Sequence, residues 1–193
     1  MVTTVINLFS SPGAGKSTLA ASIFADLKLK GVNCELAREY IKRWAWESRL
    51  PSTFEDQLYI LGKQSREEAV LYEKVDVIIT DSPLFLPAFF EEMFYGTLPD
   101  YQNVLTELVN KYLSNLEKVK QIKFLNFWLD KPITYQREGR FETEDESKKI
   151  HEKMFDFLNR QNVKLIKLPA DHNERMKIVL SYLDLAELTK KID

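Results

Sequence analysis

The sequence predicts an α/β protein: a parallel sheet of about five strands with helices on both faces, in a single domain over residues 1–193. Three observations predict it. Short apolar or β-branched runs alternate with stretches of helical spacing along the whole chain. The run Asp76-Val77-Ile78-Ile79-Thr80-Asp81 is apolar without alternation, as in a strand buried on both sides. The first run, Val5-Ile6-Asn7-Leu8-Phe9, breaks at small residues and glycine and gives way at once to helix formers. With 45% apolar and 29% charged residues, 193 residues suffice for a core of ordinary globular size.

In order, the first strand leads into Ser10-Ser11-Pro12-Gly13-Ala14-Gly15-Lys16-Ser17-Thr18, and a helix over residues 17–30 follows, closed by Gly31. Val32-Asn33-Cys34-Glu35-Leu36 is a short second strand whose Asn33 and Glu35 require a solvent-facing side. Arg38-Glu39-Tyr40 stands at its C-terminal end. Residues 41–49 form a helical piece with Trp44 and Trp46, which Pro51-Ser52-Thr53 breaks. Ser52 with Glu55 matches a capping box, so a long helix is expected over residues 53–72. Ser82-Pro83 ends the third strand, residues 85–95 fit a helix or a packed loop, 96–99 a turn, and Asp100 opens a helix to about residue 118. Residues 122–129 are a fourth strand, ended by Asp130-Lys131-Pro132. Thr143 and Glu146 form a second capping box before a helix to about residue 160, and residues 163–168 are the last strand. Pro169 stops it, and one helix is expected from about residue 173 to the end. Ligands of such sheets bind beyond the C-terminal strand ends, where residues 10–18, Glu39 and Asp81 all fall.

The formal net charge of -2 provides no global field for nucleic acid, so any polyanion contact must be local. Cys34 is the only cysteine, which excludes a disulfide framework and cysteine-rich zinc sites and makes a reducing, cytoplasmic setting the expectation. The N-terminus lacks the features of a secretion signal. Apolar windows such as Leu84-Phe85-Leu86-Pro87-Ala88-Phe89-Phe90 are too short to cross a membrane. His151 and His172 lack metal-ligand spacing and read as surface residues.

Residues 10–18 match G-x-x-x-x-G-K-[ST], the phosphate-binding P-loop, except that Ser10 stands at the first glycine. Gly13 and Gly15 let the backbone take positive φ and approach a polyphosphate. Gly13, Ala14, Gly15, Lys16, Ser17 and Thr18 then present N–H groups and a helix N-terminus to the phosphates of ATP, with Pro12 lining the same loop without a donor of its own. Lys16 bridges the β- and γ-phosphates, and the Ser17 hydroxyl takes Mg²⁺. The plainer reading is a glycine-rich turn with an exposed lysine.

Asp81, at the end of an apolar strand, suits a Mg²⁺ ligand or a proton acceptor, against a turn or N-cap aspartate ahead of Pro83. Glu39 suits a substrate hydroxyl, Arg38 an anion and Tyr40 a stacking platform, against an exposed ion pair at a helix start. Gln57 and Gln64 share a helical face and fit an amide reader of a base edge or a solvated surface. Arg137 and Arg140, on a polar segment over residues 135–142 containing Gly139, are what a closing lid needs to neutralise a transferring phosphoryl. Pairing with Glu138 and Glu142 is the alternative. Lys42, Arg43, Trp44, Trp46 and Arg49 interleave bases with aromatics as a single-strand surface does, but tryptophans at helical spacing fit a core better.

Together, residues 10–18, Arg38-Glu39-Tyr40, Ile78-Ile79-Thr80-Asp81 and residues 137–140 resemble the small P-loop kinases, above all the nicotinamide riboside kinase-like group and related phage-encoded P-loop kinases. Asp81-Ser82 stands where related deoxynucleoside and thymidylate kinases usually carry Asp-Arg. The resemblance implies the P-loop NTPase three-layer sandwich, with ATP and Mg²⁺ in the loop. It also implies a nucleoside- or nucleotide-like acceptor near Glu39 and Asp81, in a monomer or homodimer of the cytoplasm, the host's if phage-encoded. A phage-type kinase acting on a modified base such as 5-hydroxymethyluracil in DNA is a further reading, for which the basic-aromatic segment over residues 42–49 is the sequence's support, with nucleic acid not the favoured partner. The rival is a nucleotide-hydrolysing switch with a protein or DNA partner. A guanine-nucleotide switch is not indicated, because no Asn-Lys-x-Asp element follows a strand.

Overall fold

The computed structural model describes residues 2–51, 53–95, 101–130 and 143–189. Ser52, the turn at 96–99, Asp100 and the lid arginines Arg137 and Arg140 lie outside the described residues.

The strands are β1 (Thr4–Phe9), β2 (Cys34–Ala37), β3 (Val77–Thr80), β4 (Lys123–Leu129) and β5 (Leu165–Leu168). The helices are α1 (Lys16–Leu29), α2 (Lys42–Trp46), α3 (Phe54–Ala69), α4 (Phe85–Tyr95), α5 (Val104–Val119), α6 (Glu144–Arg160), α7 (His172–Ser181) and α8 (Leu185–Thr189). All strand pairs are parallel, in the order β2-β3-β1-β4-β5, so the strand that enters the phosphate loop is central. Ala37, Thr80, Asn7 and Asn126 stand in one row across four strands, which brings the C-terminal ends of β2, β3 and β1 to one edge. Asn7 Nδ2 donates to Asn126 Oδ1 at 2.8 Å in that row.

Alternation along β1 divides the core. Ile6 and Leu8 join Ile79, Leu125 and Phe127 under α1 and α7, and Phe9 joins Trp128 under α4, α5 and α6. Leu19, Ile23 and Leu27 of α1 are fully buried, and each contributes about 1.5–3 kcal/mol by leaving water. All four residues of β3 are buried, as its unbroken apolar run requires.

Element ends show where local pattern decides and where packing does. Gly31, at φ 77, closes α1 and donates to Lys28 O at 3.0 Å. Thr143 and Glu146 form the expected reciprocal cap. The box of α3 is one residue later than Ser52 and Glu55 suggest: Thr53 Oγ1 accepts from Asp56 N at 3.1 Å, and Asp56 Oδ2 accepts from Thr53 N at 3.2 Å. The stretch contains both S-x-x-E and T-x-x-D, and the second makes both bonds. Helix α3 ends at Ala69, before Glu73 at φ 64, whose N–H donates to Thr3 Oγ1 at 3.0 Å. Helix α5 begins at Val104 after Asn103 at φ 63, and Glu91 Oε2 accepts from Leu105 N at 3.0 Å. Residues 85–95 are a helix, with Pro87 in the first turn where its missing N–H costs nothing. The single C-terminal helix expected is two, α7 capped by Asp171 and α8, parted where Leu183 turns into the core. No helix among the described residues is long and apolar enough to cross a membrane.

Candidate phosphate-binding and transfer site

The loop after β1 takes the backbone form its glycines permit, Gly13 at φ 89 and Gly15 at φ 85. Helix α1 starts at Lys16 with no side-chain cap and no acid in its first turn, so its opening N–H groups and positive end are left for an anion. Lys16 Nζ donates to the carbonyls of Ser10 at 2.8 Å and Ser11 at 3.1 Å. Ser17 and Thr18 are exposed at the helix start.

Ser10 does not need glycine's freedom. It is not among the non-glycine residues with positive φ, and its buried hydroxyl donates to Leu129 O at 2.9 Å. Two residues of α6 hold the same loop. Ser147 Oγ donates to Pro12 O at 2.7 Å, and His151 Nδ1 lies 3.3 Å from Ser10 Oγ and 3.4 Å from Ser11 Oγ. His151 is therefore half-buried against the loop, with its ring 4.5 Å from that of Trp128, which corrects its reading as a surface residue. His172 is the half-buried first residue of α7.

Arg175 of α7 is buried, and its guanidinium donates to Ala14 O at 3.0 Å, to Pro169 O and to Asp130 O. Burial pushes its pKa down, against the pull of Asp130 and Asp171. Nothing in the local sequence marked Arg175, His151 or Ser147 as loop-holding residues.

Asp81 follows β3 beside β1, is buried, and its Oδ1 has no hydrogen-bond partner among the described residues. Asp81 is not the N-cap of α4, which begins four residues later at Phe85. After β2, Arg38 is exposed while Glu39 and Tyr40 are half-buried. Tyr40 N donates to Gln64 Oε1 at 3.2 Å, and the Tyr40 and Tyr59 hydroxyls meet at 3.0 Å, which ties this turn to α3. Gln57 and Gln64 are both buried, so the solvated-face reading is overturned. The Oε1 bond fixes the Gln64 amide so that Nε2 faces away, and Nε2 has no partner among the described residues. The two tryptophans divide: Trp44 is buried, stacked on Tyr59 and covered by the Arg49 guanidinium 3.5 Å from its ring, while Trp46 is 68% exposed. Arg43 pairs with Glu47 and Arg49 with Asp56, so much of the basic charge there is matched.

A family model described as "AAA domain" matches residues 5–175. No curated protein matches the sequence. Among solved structures, the deoxyadenosine kinase of M. mycoides with bound dATP aligns at 20% identity and TM-score 0.57, covering 93% of this chain and 99% of that one. The NadR protein in complex with NR aligns at 16% identity and TM-score 0.68, over 93% of this chain and 51% of that one. Thymidylate kinase from Candida albicans aligns at 11% identity and TM-score 0.62, over 97% and 94%. The shared feature is the fold, that of the P-loop nucleoside and nucleotide kinases.

Proposed function

The chain belongs to the AAA-domain family, and from that premise we propose that it is an ATP-dependent phosphotransferase. It moves the γ-phosphate to a hydroxyl or phosphate of a nucleoside- or nucleotide-like acceptor. One observation carries this reading beyond nucleotide binding. Two buried polar atoms have no partner among the described residues: Asp81 Oδ1, on the residue that follows β3 beside β1, and Nε2 of Gln64, whose Oε1 holds the turn after β2 at Tyr40 N. An acceptor supplies what they lack, and leaving them unmet costs about 1–3 kcal/mol each. The shared fold with deoxyadenosine and thymidylate kinases supports the same acceptor class.

In this reading the N–H groups over residues 13–18 and the Lys16 ammonium hold the triphosphate. The exposed Ser17 hydroxyl and the buried Asp81 carboxylate would hold Mg²⁺, which would supply charge neutralisation for the triphosphate. Asp81 or Glu39 takes the acceptor proton as the acceptor oxygen bonds to the γ-phosphorus and ADP leaves. Arg38 and Tyr40 flank the acceptor, Gln64 donates to its base, and Arg137 and Arg140 close over the γ-phosphate. Cys34 is a buried free thiol, in keeping with a cytoplasmic setting.

The test is transfer from labelled ATP to a panel of nucleosides, nucleotides and DNA, the last including 5-hydroxymethyluracil. Label is expected in one acceptor class, and Lys16→Ala is expected to abolish it with the circular dichroism unchanged. Undiminished transfer in that variant refutes the role of the loop. Release of phosphate with no labelled acceptor points instead to the nucleotide-hydrolysing switch that the family's description also fits.

A further inference from the structure

The space around Ser10, where the motif has its first glycine, is filled by a polar layer between the phosphate loop and α6. Three hydroxyls and one imidazole compose it: Ser10, Ser11, Ser147 and His151. Each hydroxyl has a single proton. Ser10 donates its own to Leu129 O at 2.9 Å and Ser147 to Pro12 O at 2.7 Å, so neither can donate to the ring. Only Ser11 can switch. It donates to an unprotonated Nδ1 at 3.4 Å or accepts from Nδ1 when that nitrogen carries the hydrogen, and Ser147 Oγ, the donor of that pair, lies 3.2 Å from Ser11 Oγ. Trp128 holds the ring in place from the sheet.

The carbonyls of the same two serines hold the Lys16 ammonium, at 2.8 and 3.1 Å. The dipeptide is thus gripped on one side by imidazole and on the other by the lysine that the phosphates need. We propose that His151 is a positioning residue for nucleotide phosphates: by fixing Ser10 and Ser11 from α6, it fixes where Lys16 and the loop N–H groups stand. This rests on the loop being a nucleotide site.

The test is calorimetric titration of the full chain with MgADP, with the melting temperature measured alongside. His151→Leu, which removes the bonds to both serines, is expected to weaken MgADP about five- to tenfold, the size of one or two hydrogen bonds. His151→Asn places its amide near the Nδ1 position and is expected to restore most of the affinity. His151→Gln reaches the Nε2 position and is expected not to. Equal affinity in all three variants and the parent overturns the proposal, as does equal weakening in Asn and Leu. Should His151→Leu fail to fold, the Asn and Gln pair decides alone, and equal affinity between them overturns it. A parent chain that binds no MgADP overturns the nucleotide reading itself, a separate failure.

Discussion

Arg175 Nη1 donates to the carbonyl oxygen of Ala14 at 3.0 Å, across 161 residues of chain. The same guanidinium bonds the carbonyls of Asp130, after β4, and Pro169, after β5, so one buried side chain ties two strand ends to the phosphate loop. A planar fork reaches all three acceptors; an ammonium does not. Arg175→Met leaves the buried Ala14 carbonyl and two part-buried carbonyls without this donor and is expected to destabilise by about 3 kcal/mol, lowering the melting temperature by roughly 6–12 °C for a chain of this size. Arg175→Lys is expected to fall between. Thermal denaturation checks both, and a loss below about 1 kcal/mol would contradict the clamp.

Two glycines should respond to alanine with opposite sign. Gly15 sits at φ +85, where a Cβ would meet Arg175 Nη1 at an unstrained 3.5 Å, so the cost is backbone strain and not collision. Gly15→Ala is expected to destabilise by about 1–2 kcal/mol. Gly62 lies within α3, and a Cβ there would meet nothing within 4 Å. Gly62→Ala is expected to stabilise by about 0.5–1 kcal/mol, by helix propensity alone. Urea denaturation of the two variants gives the comparison.

Glu68 is buried in α3, where its Oε2 accepts from the Tyr72 hydroxyl at 3.0 Å and its Oε1 has no partner among the described residues. Burial pushes its carboxyl from 4.5 up to about 8. Between those values the folded chain holds a proton that the unfolded chain has released, so this group's contribution to stability falls as pH rises from about 4.5 to about 8 and then levels. Glu68→Gln keeps an acceptor for Tyr72 and cannot ionise. Its melting temperature is expected to match the parent near pH 5 and to exceed it at pH 8 and above, measured as the difference between the two chains across about pH 5–9. A difference independent of pH would refute the titration.

The parts of this molecule that are local in sequence were legible. The strand-glycine-helix order placed residues 10–18, and the unbroken run of β3 placed Asp81 beside the loop, because burial on both faces leaves a mark in four consecutive residues. Local pattern alone places the α3 cap one residue early, because S-x-x-E and T-x-x-D overlap there and only the reciprocal bonds of Thr53 and Asp56 distinguish them. Arg175 was not legible at all. It sits in the polar string His172-Asn173-Glu174-Arg175, which reads as a solvated helix start, and it is buried where carbonyls from two distant segments, at Ala14 and Asp130, converge on it with that of nearby Pro169. His151 and Ser147 are of the same kind: their role comes from α6 packing across the loop, a contact that no periodicity encodes. Gln64 lies between, since its spacing from Gln57 marked a shared face but not that the face is buried.

That burial gives Gln64 the sharpest consequence for the reaction. Its Oε1 is held by Tyr40 N at 3.2 Å, and its Nε2, which has no partner among the described residues, would in the proposed reading donate to an acceptor atom such as a ring carbonyl or ring nitrogen. A site built to donate one buried hydrogen bond discriminates strongly, because a ligand lacking the partner leaves the donor unpaired. Gln64→Leu is therefore expected to raise KM for the acceptor by about tenfold or more while changing KM for MgATP by less than about twofold, since the phosphate loop is untouched. Steady-state kinetics with each substrate varied in turn makes the separation. A parallel rise in both KM values, accompanied by a fall in melting temperature, would show that the amide only supports the turn at Tyr40.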